Sequence, residues 1–410
     1  MKPVDTLRRL QGLPLIVVLL LVIAGRPLLE GQAAQPESRR IVHGTAFHDA
    51  NGNGRRDAGE RGVGGVAVSD QADVRQTSDD GSYELAAAAK SSVVFVSLPD
   101  GWAAPAGFWQ PLQFESGEAR ADFALRPREK HAEFTFIHAS DTHLSPQSLP
   151  RMRLLREIVE RERPAFVLIT GDLVRDALRV PEAEARGYYD LLAVELKKFT
   201  APVWVIPGNH ENFGIERHQS LVSPQHPLYG KGMYRNYLGP NYFSFNWGGV
   251  HFVGLDTADI DDLWYYGHID AAQLAWLKKD LATVPPDAPV VTFNHIPLAS
   301  AVENLSGYND EPPAPSMIRV NGKTQFRHVV SNTAELLQAL APHPLEIALG
   351  GHMHTAESLV YQTKNGPVRF HQTGAVVGPS AAGGMDFPSG VTLYRVLGGK
   401  VDNGTFLPLD

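Results

Sequence analysis

Five short stretches in this chain carry side chains that can hold a metal ion or move a proton. They are "SDTH" (140–143), "GDLVRD" (171–176), "GNHEN" (208–212), "NHIP" (294–297) and "GGHMH" (350–354). Together they offer Asp141, His143, Asp172, Asn209, His210, His295, His352 and His354. Imidazole nitrogen suits first-row transition metals, and carboxylate and carbonyl oxygens suit harder cations. The sequence contains no cysteine, which excludes thiolate ligands and thiolate nucleophiles. A single histidine at a strand end is usually a satisfied surface residue. Five polar stretches at corresponding places are a signal that one is not. Alternation along "HMH" would put His352 and His354 on the same side of an extended segment.

Each stretch closes an apolar run. The runs are "FTFIHAS" (134–140), "AFVLITG" (165–171), "PVWVIPG" (202–208), "PVVTFNH" (289–295) and "LEIALGG" (345–351); "VHFVGLD" (250–256) is a sixth strand-like run. Amphipathic stretches lie between them at 151–163, 184–199, 270–282 and 332–341. In the first, Leu154, Leu155, Ile158 and Val159 form one apolar stripe. Strands alternating with helices predict an α/β domain. Residues 358–408 read mostly as strand again, which adds an antiparallel, α+β character. In open α/β sheets, ligands bind beyond the carboxyl ends of the strands. If the runs share one layer, the eight residues meet there.

The ordered set "DTH", "GD", "GNHE", "NHIP", "GHMH" resembles the calcineurin-like metallophosphoesterase family over residues 132–410. The resemblance implies a β-sandwich flanked by helices and a dinuclear centre of divalent transition metals (manganese, iron or zinc). Asp141, His143 and His354 would hold one ion, Asn209, His295 and His352 the other, and Asp172 would bridge them. The implied reaction is hydrolysis of a small phosphomonoester or phosphodiester by hydroxide activated at the metals. His210 would donate a proton to the leaving oxygen or stabilise the transition state. One departure stands out. Many members read Gly-Asp-x-x-Asp, but here Arg175 takes the second acidic position and Asp176 follows it. Either Asp176 reaches His210, or Arg175 contacts a phosphate, or both cap the next loop. Two other metallohydrolase patterns fail: "GHMHTAES" lacks an Asp-His continuation, and "HENFG" misses the last histidine of HExxH. A metal-binding protein that has lost turnover, acting at the surface or in the periplasm, is the alternative.

The net charge of −8 and the absence of a long basic run argue against binding a nucleic-acid duplex. Residues 1–35 read as a signal peptide. Lys2, Arg8 and Arg9 precede the apolar run "LPLIVVLLLVIA" (13–24), and the small residues of "GQAAQ" (31–35) follow. That run falls short of the ~20 residues that span a bilayer. Export to the periplasm or medium is expected, with membrane contact only if the leader stays uncleaved. The arginine pair leaves the export route open, and no pattern speaks to oligomeric state.

Residues 40–126 show short strand runs split by turns such as "DDG" (79–81) and "PDG" (99–101), which predicts a small β-sandwich. "LRPREK" (125–130) suits a linker. The segment resembles the domain found before some bacterial calcineurin-like phosphoesterases, and also the B repeats of bacterial surface adhesins. Its loop "HDANGNGRRDAGE" (48–60) has calcium-type spacing, with Asp49, Asn51, Asn53, the Arg55 carbonyl, Asp57 and Glu60 as candidate ligands. Further on, "DDLWYYGH" (261–268) is a candidate pocket wall. The polar insertion 305–328 is a candidate lid, whose Arg319, Lys323 and Arg327 would meet an anion.

Overall fold

Two mixed sheets, not one layer, carry the apolar runs in the computed structural model, which describes residues 40–309, 311, 315–364 and 366–409. The candidate signal peptide lies outside the described residues. In the first sheet the strands run in the order Val203–Ile206, Phe166–Thr170, Glu133–Ala139, Gly390–Leu397 and Lys400–Val401, and Thr405–Pro408 also pairs with Gly390–Leu397. The first three are parallel, with Phe136 opposite Phe166 and Val167 opposite Val203. Gly390–Leu397 joins antiparallel, Glu133 opposite Leu397. The second sheet runs Phe243–Trp247, Val250–Leu255, Val290–Asn294, Leu345–Gly350, Gly366–Gln372 and Glu357–Thr363. Its central strands are again parallel, with His251 opposite Val290 and Val291 opposite Ile347. These two layers are the β-sandwich that the resemblance implies. Three motif loops leave the first sheet and two leave the second, all at carboxyl ends.

Parallel strands covered on both faces read as continuous apolar runs. Phe166–Thr170 and Val290–Asn294 are buried at every position. The seam between the sheets is aromatic. Phe166 meets Phe252 edge-on with centroids 5.1 Å apart and Phe245 at 5.4 Å, while Trp204 stacks on Phe245 at 4.2 Å. Such pairs add to the burial of large apolar area, so the two sheets are held in a fixed relation. Helix Leu149–Glu162 covers the outer face of the first sheet, burying Met152, Leu155, Ile158 and Val159. Met152 replaces Leu154, which is only half-buried, in the expected stripe. Helix Ala271–Leu281 covers the second sheet with Trp276 and Leu277 and starts where Asp270 accepts from Gln273 N at 2.7 Å.

The front region is all β. Arg40–His48 pairs antiparallel with Ser82–Ala87 and parallel with Phe123–Pro127, and Ala67–Ser69 pairs with Val74–Gln76 and Val93–Ser97. It is sewn onto the second sheet. Leu98 forms a bridge with Phe245, Tyr242 OH donates to Gln71 O at 2.7 Å, and Trp276 Nε1 donates to Ser69 Oγ at 3.1 Å. Buried Ser244 Oγ lies 2.8 Å from Ser97 Oγ and donates to Asp280 at 2.7 Å. The insertion is not a bare loop: it contains the antiparallel hairpin Met317–Val320 and Lys323–Phe326. Among the described residues, no helix is long and apolar enough to cross a membrane.

Candidate metal centre

Main-chain N–H donors bring the loops together. His143 N donates to Asp172 O at 2.8 Å and Leu144 N to Leu173 O at 2.9 Å, so the first two loops run side by side. His210 N donates to Asp172 Oδ1 at 2.9 Å and draws in the third loop. His352 N donates to Asp141 Oδ2 at 3.0 Å and draws in the second sheet. Close packing requires glycine here. A Cβ on Gly208 would stand 2.2 Å from Asp172 Oδ1, and one on Gly351 would stand 1.8 Å from Ser140 Oγ. Asp141, His143, Asp172, His352 and His354 all have positive φ, between 38° and 72°. Non-glycine residues rarely adopt that backbone, and it concentrates at functional sites.

All eight expected residues meet. In one group His354 Nε2 lies 3.2 Å from Asp141 Oδ1 and 3.2 Å from His143 Nε2. In the other, His295 Nε2 lies 3.2 Å from Asp172 Oδ1, 3.1 Å from Asn209 Oδ1 and 3.2 Å from His352 Nδ1. Asp172 faces both, its Oδ2 standing 3.6 Å from His143 Nε2. His210 Nε2 is 3.8 Å from the same oxygen.

The residues fit a pair of divalent cations. Asp141 Oδ1 is fully buried and has no hydrogen-bond partner, although imidazole nitrogens surround it. Burial pushes the Asp141 carboxyl up, but the His354 and His295 imidazoles together hold the group below the usual range. Burial likewise acts on Asp172, and His295 and His210 overcome it. Burial drives His143 down to about 4 and His352 well below its ordinary value. Charged carboxylates beside neutral imidazoles are the state in which such groups ligate metal. His295 goes the other way: burial lowers it, but Asp172 and Asp141 carry it up to about 9. A proton there supplies positive charge that the two carboxylates attract. His295 Nδ1–H donates to Thr170 O at 2.8 Å, which leaves Nε2 facing Asn209 and Asp172.

A model of calcineurin-like phosphoesterases matches residues 134–356, more than half of the chain, and a model of the N terminal of calcineurin-like phosphoesterase matches residues 50–128. The chain belongs to the calcineurin-like phosphoesterase family. At family level this assigns phosphoester hydrolysis and a divalent metal centre. A probable cyclic nucleotide phosphodiesterase of Rhodococcus erythropolis is 24% identical over 247 residues, 57% of this chain and 68% of that protein. A cAMP/cGMP dual specificity phosphodiesterase of Mycobacterium tuberculosis is 24% identical over 240 residues, and the match spans 56% of this chain and 64% of the relative. Among solved structures, a dimetal phosphatase from Danio rerio superposes with a TM-score of 0.39 at 16% identity, covering 64% of this chain and 93% of that one.

The structure decides between several of the alternatives left open for this calcineurin-like phosphoesterase. Asp176 does not reach His210. Its carboxylate accepts from Leu178 N at 2.9 Å and pairs with Arg179 at 2.9 Å, capping the next turn. His210 is instead oriented by the main chain of Arg175, whose carbonyl lies 2.7 Å from Nδ1. His352 and His354 do not share a side of an extended strand; left-handed backbone at both turns their rings inward. Arg327 is not available to an anion, being only 4% exposed, with its guanidinium over Tyr265. Arg319 donates to Gly322 O at 2.8 Å within its own hairpin. Tyr265 of the expected pocket wall does stand edge-on to His352, with centroids 5.9 Å apart.

Two supporting residues escaped the sequence reading. Glu211 is buried, and its two oxygens accept from Val174 N at 2.9 Å and Gly208 N at 2.6 Å, stitching the second loop to the third. Burial, then the Asp172 charge, pushes its carboxyl up to about 8. It stands inside the quoted "GNHE", but spacing does not say that its carboxylate turns to the backbone. His328 lies 2.7 Å from His352, and burial followed by Arg327 lowers it to about 4. No motif marks it.

The front loop is closed on itself. Asp49 accepts from Gly52 N, Asn53 N and Gly54 N, at 2.7, 3.2 and 3.0 Å. The Asn51 and Asn53 amides both donate to Asp57 Oδ2 at 2.7 Å, and Glu60 accepts from Ala50 N and Asp57 N at 2.9 Å each. The Asn51 and Asn53 side-chain oxygens accept from Asn53 N and Arg55 N.

Proposed function

We propose that this chain hydrolyses a small phosphodiester or phosphomonoester with two divalent transition ions, manganese, iron or zinc. The supporting observation is that both ligand groups converge on the single buried carboxylate of Asp172. Asp141, His143 and His354 would hold one ion, Asn209, His295 and His352 the other, and Asp172 would face both. Bound there, such ions supply Lewis acidity to phosphoryl oxygens and to water. The protein's own groups orient and protonate. His210, its Nδ1 proton fixed on the Arg175 carbonyl, would direct Nε2 to the leaving oxygen and pass it a proton. The names of the two bacterial relatives favour a diester, cyclic nucleotides among the candidates. An oriented His210 beside a complete ligand set opposes the alternative of a metal-binding protein without turnover. We further propose export to the periplasm or medium, on the strength of the leader's basic start and short apolar run.

One purification tests the reaction. Metal content per chain is measured for wild type and Asp172→Ala, beside turnover of bis(p-nitrophenyl) phosphate and p-nitrophenyl phosphate. Two ions and hydrolysis are expected for wild type, with both lost in the variant. Fewer than two ions in a metal-replete wild type, or equal turnover in the variant, would sink the proposal.

A further inference from the structure

We propose that His328 is a positioning residue: it fixes the ring of His352 and so ties the Asn209, His295 and His352 subsite to the 305–328 insertion. The inference rests on the two-metal reading above. His352 turns Nδ1 towards His295 Nε2, 3.2 Å away, and Nε2 towards His328 Nδ1, 2.7 Å away. A lone pair at Nδ1 for a metal leaves the His352 proton on Nε2. That N–H then donates to His328 Nδ1, and His328 carries its own proton on Nε2. Metal-ligating histidines usually donate their second N–H to a carboxylate, a carbonyl or water. His295 follows that habit with Thr170 O at 2.8 Å. His352 uses another imidazole, from a segment outside the sheets.

His352 needs such a holder. Its backbone is left-handed, with φ 72°, so no strand neighbour sets the direction of its ring. The His328 ring meets it edge to edge and nearly coplanar, with centroids 5.0 Å apart and planes 21° from parallel. Tyr265 stands edge-on to both rings, at 5.9 Å from His352 and 6.2 Å from His328. His328 is itself pinned through its neighbour. The buried Arg327 guanidinium lies 4.3 Å from the Tyr265 ring centre and donates to Pro315 O at 3.1 Å, while Arg327 N donates to Ser316 O at 2.9 Å. The insertion therefore ends locked on Tyr265 and presents one acceptor to one metal-facing histidine.

His328→Phe keeps a flat ring beside the edge of His352 and removes the acceptor. His328→Asn restores an acceptor close to where Nδ1 stands. Each folded protein is titrated with Mn²⁺ and with Zn²⁺ in metal-buffered solution, and bound ions per chain are counted by mass spectrometry. Circular dichroism confirms the fold. In wild type two ions bind. In His328→Phe one ion keeps its affinity and the other weakens 10–100-fold, and His328→Asn recovers most of that loss. Wild-type affinity for both ions in His328→Phe would overturn the proposal, as would equal weakening of both, or a His328→Asn no better than His328→Phe. A wild type that binds two ions and hydrolyses no phosphoester would refute the hydrolytic reading while this titration still supports His328.

Discussion

His210 donates from Nδ1 to the main-chain carbonyl of Arg175, 2.7 Å away. Many relatives of this pattern place a second acidic residue at that spacing, and here a peptide oxygen serves the same histidine. A backbone acceptor does not depend on the side chain that carries it. Replacing Arg175 with Ala should therefore leave kcat within about threefold, whereas His210→Ala should lower it by about 10²–10⁴-fold. Steady-state kinetics on a diester with added metal decides. A tenfold drop in kcat for the Arg175 variant would mean that its guanidinium meets the substrate.

Glu211 accepts two main-chain N–H groups from separate loops, at 2.9 and 2.6 Å. A glutamine in its place offers one oxygen and turns an amide N–H₂ towards a second donor. Leaving one buried donor unmet costs about 1–3 kcal/mol. Urea unfolding of Glu211→Gln at pH ~9, above the carboxyl's raised pKa of about 8, should show a loss of that size, with the same slope. An unchanged midpoint would show that the stitch between the loops contributes nothing.

Acid should weaken the fold through two histidines away from the catalytic mouth. Burial, then the neighbouring His371 charge, lowers His138 to about 3; burial, then Arg369, lowers His371 to about 4. Both are neutral when folded, and in the unfolded chain both take a proton below pH 6.5. The unfolded state then binds more protons, so the contribution of these two histidines is flat above that pH and turns increasingly unfavourable as pH drops towards 4. The loss by pH ~4.5 is on the order of a few kcal/mol. Metal-stripped protein unfolded in urea across this range should show it, with a shallower slope in His371→Gln. A flat profile below pH 6 would contradict the argument.

The meeting of the candidate residues was readable because chemistry and chain order coincide: each polar cluster closes an apolar run that had to become a buried strand. Which strands pair was not readable, since periodicity cannot say that Phe136 lies beside Phe166 while Phe252 faces them from another sheet. The rule about carboxyl ends holds although the runs divide between two sheets, because it applies to each sheet separately. The alternation drawn for His352 and His354 failed because it assumed extended backbone where both residues are left-handed. His328 and the orientation of Glu211 were hidden for a plainer reason. Their partners, His352 and Gly208 with Val174, are set by tertiary folding and leave no spacing to detect.

Asp141, His143, Asp172, His352 and His354 hold left-handed backbone without glycine. Such placements cost of the order of 1–3 kcal/mol each, and five of them approach the whole net stability of a typical domain. Ions that bind only the folded chain offset that cost by mass action. On the proposed two-metal reading, metal supply would govern the lifetime of the molecule as well as its turnover: a copy stripped of its ions would be left holding the bend at each of these five positions, and proteases would reach it first.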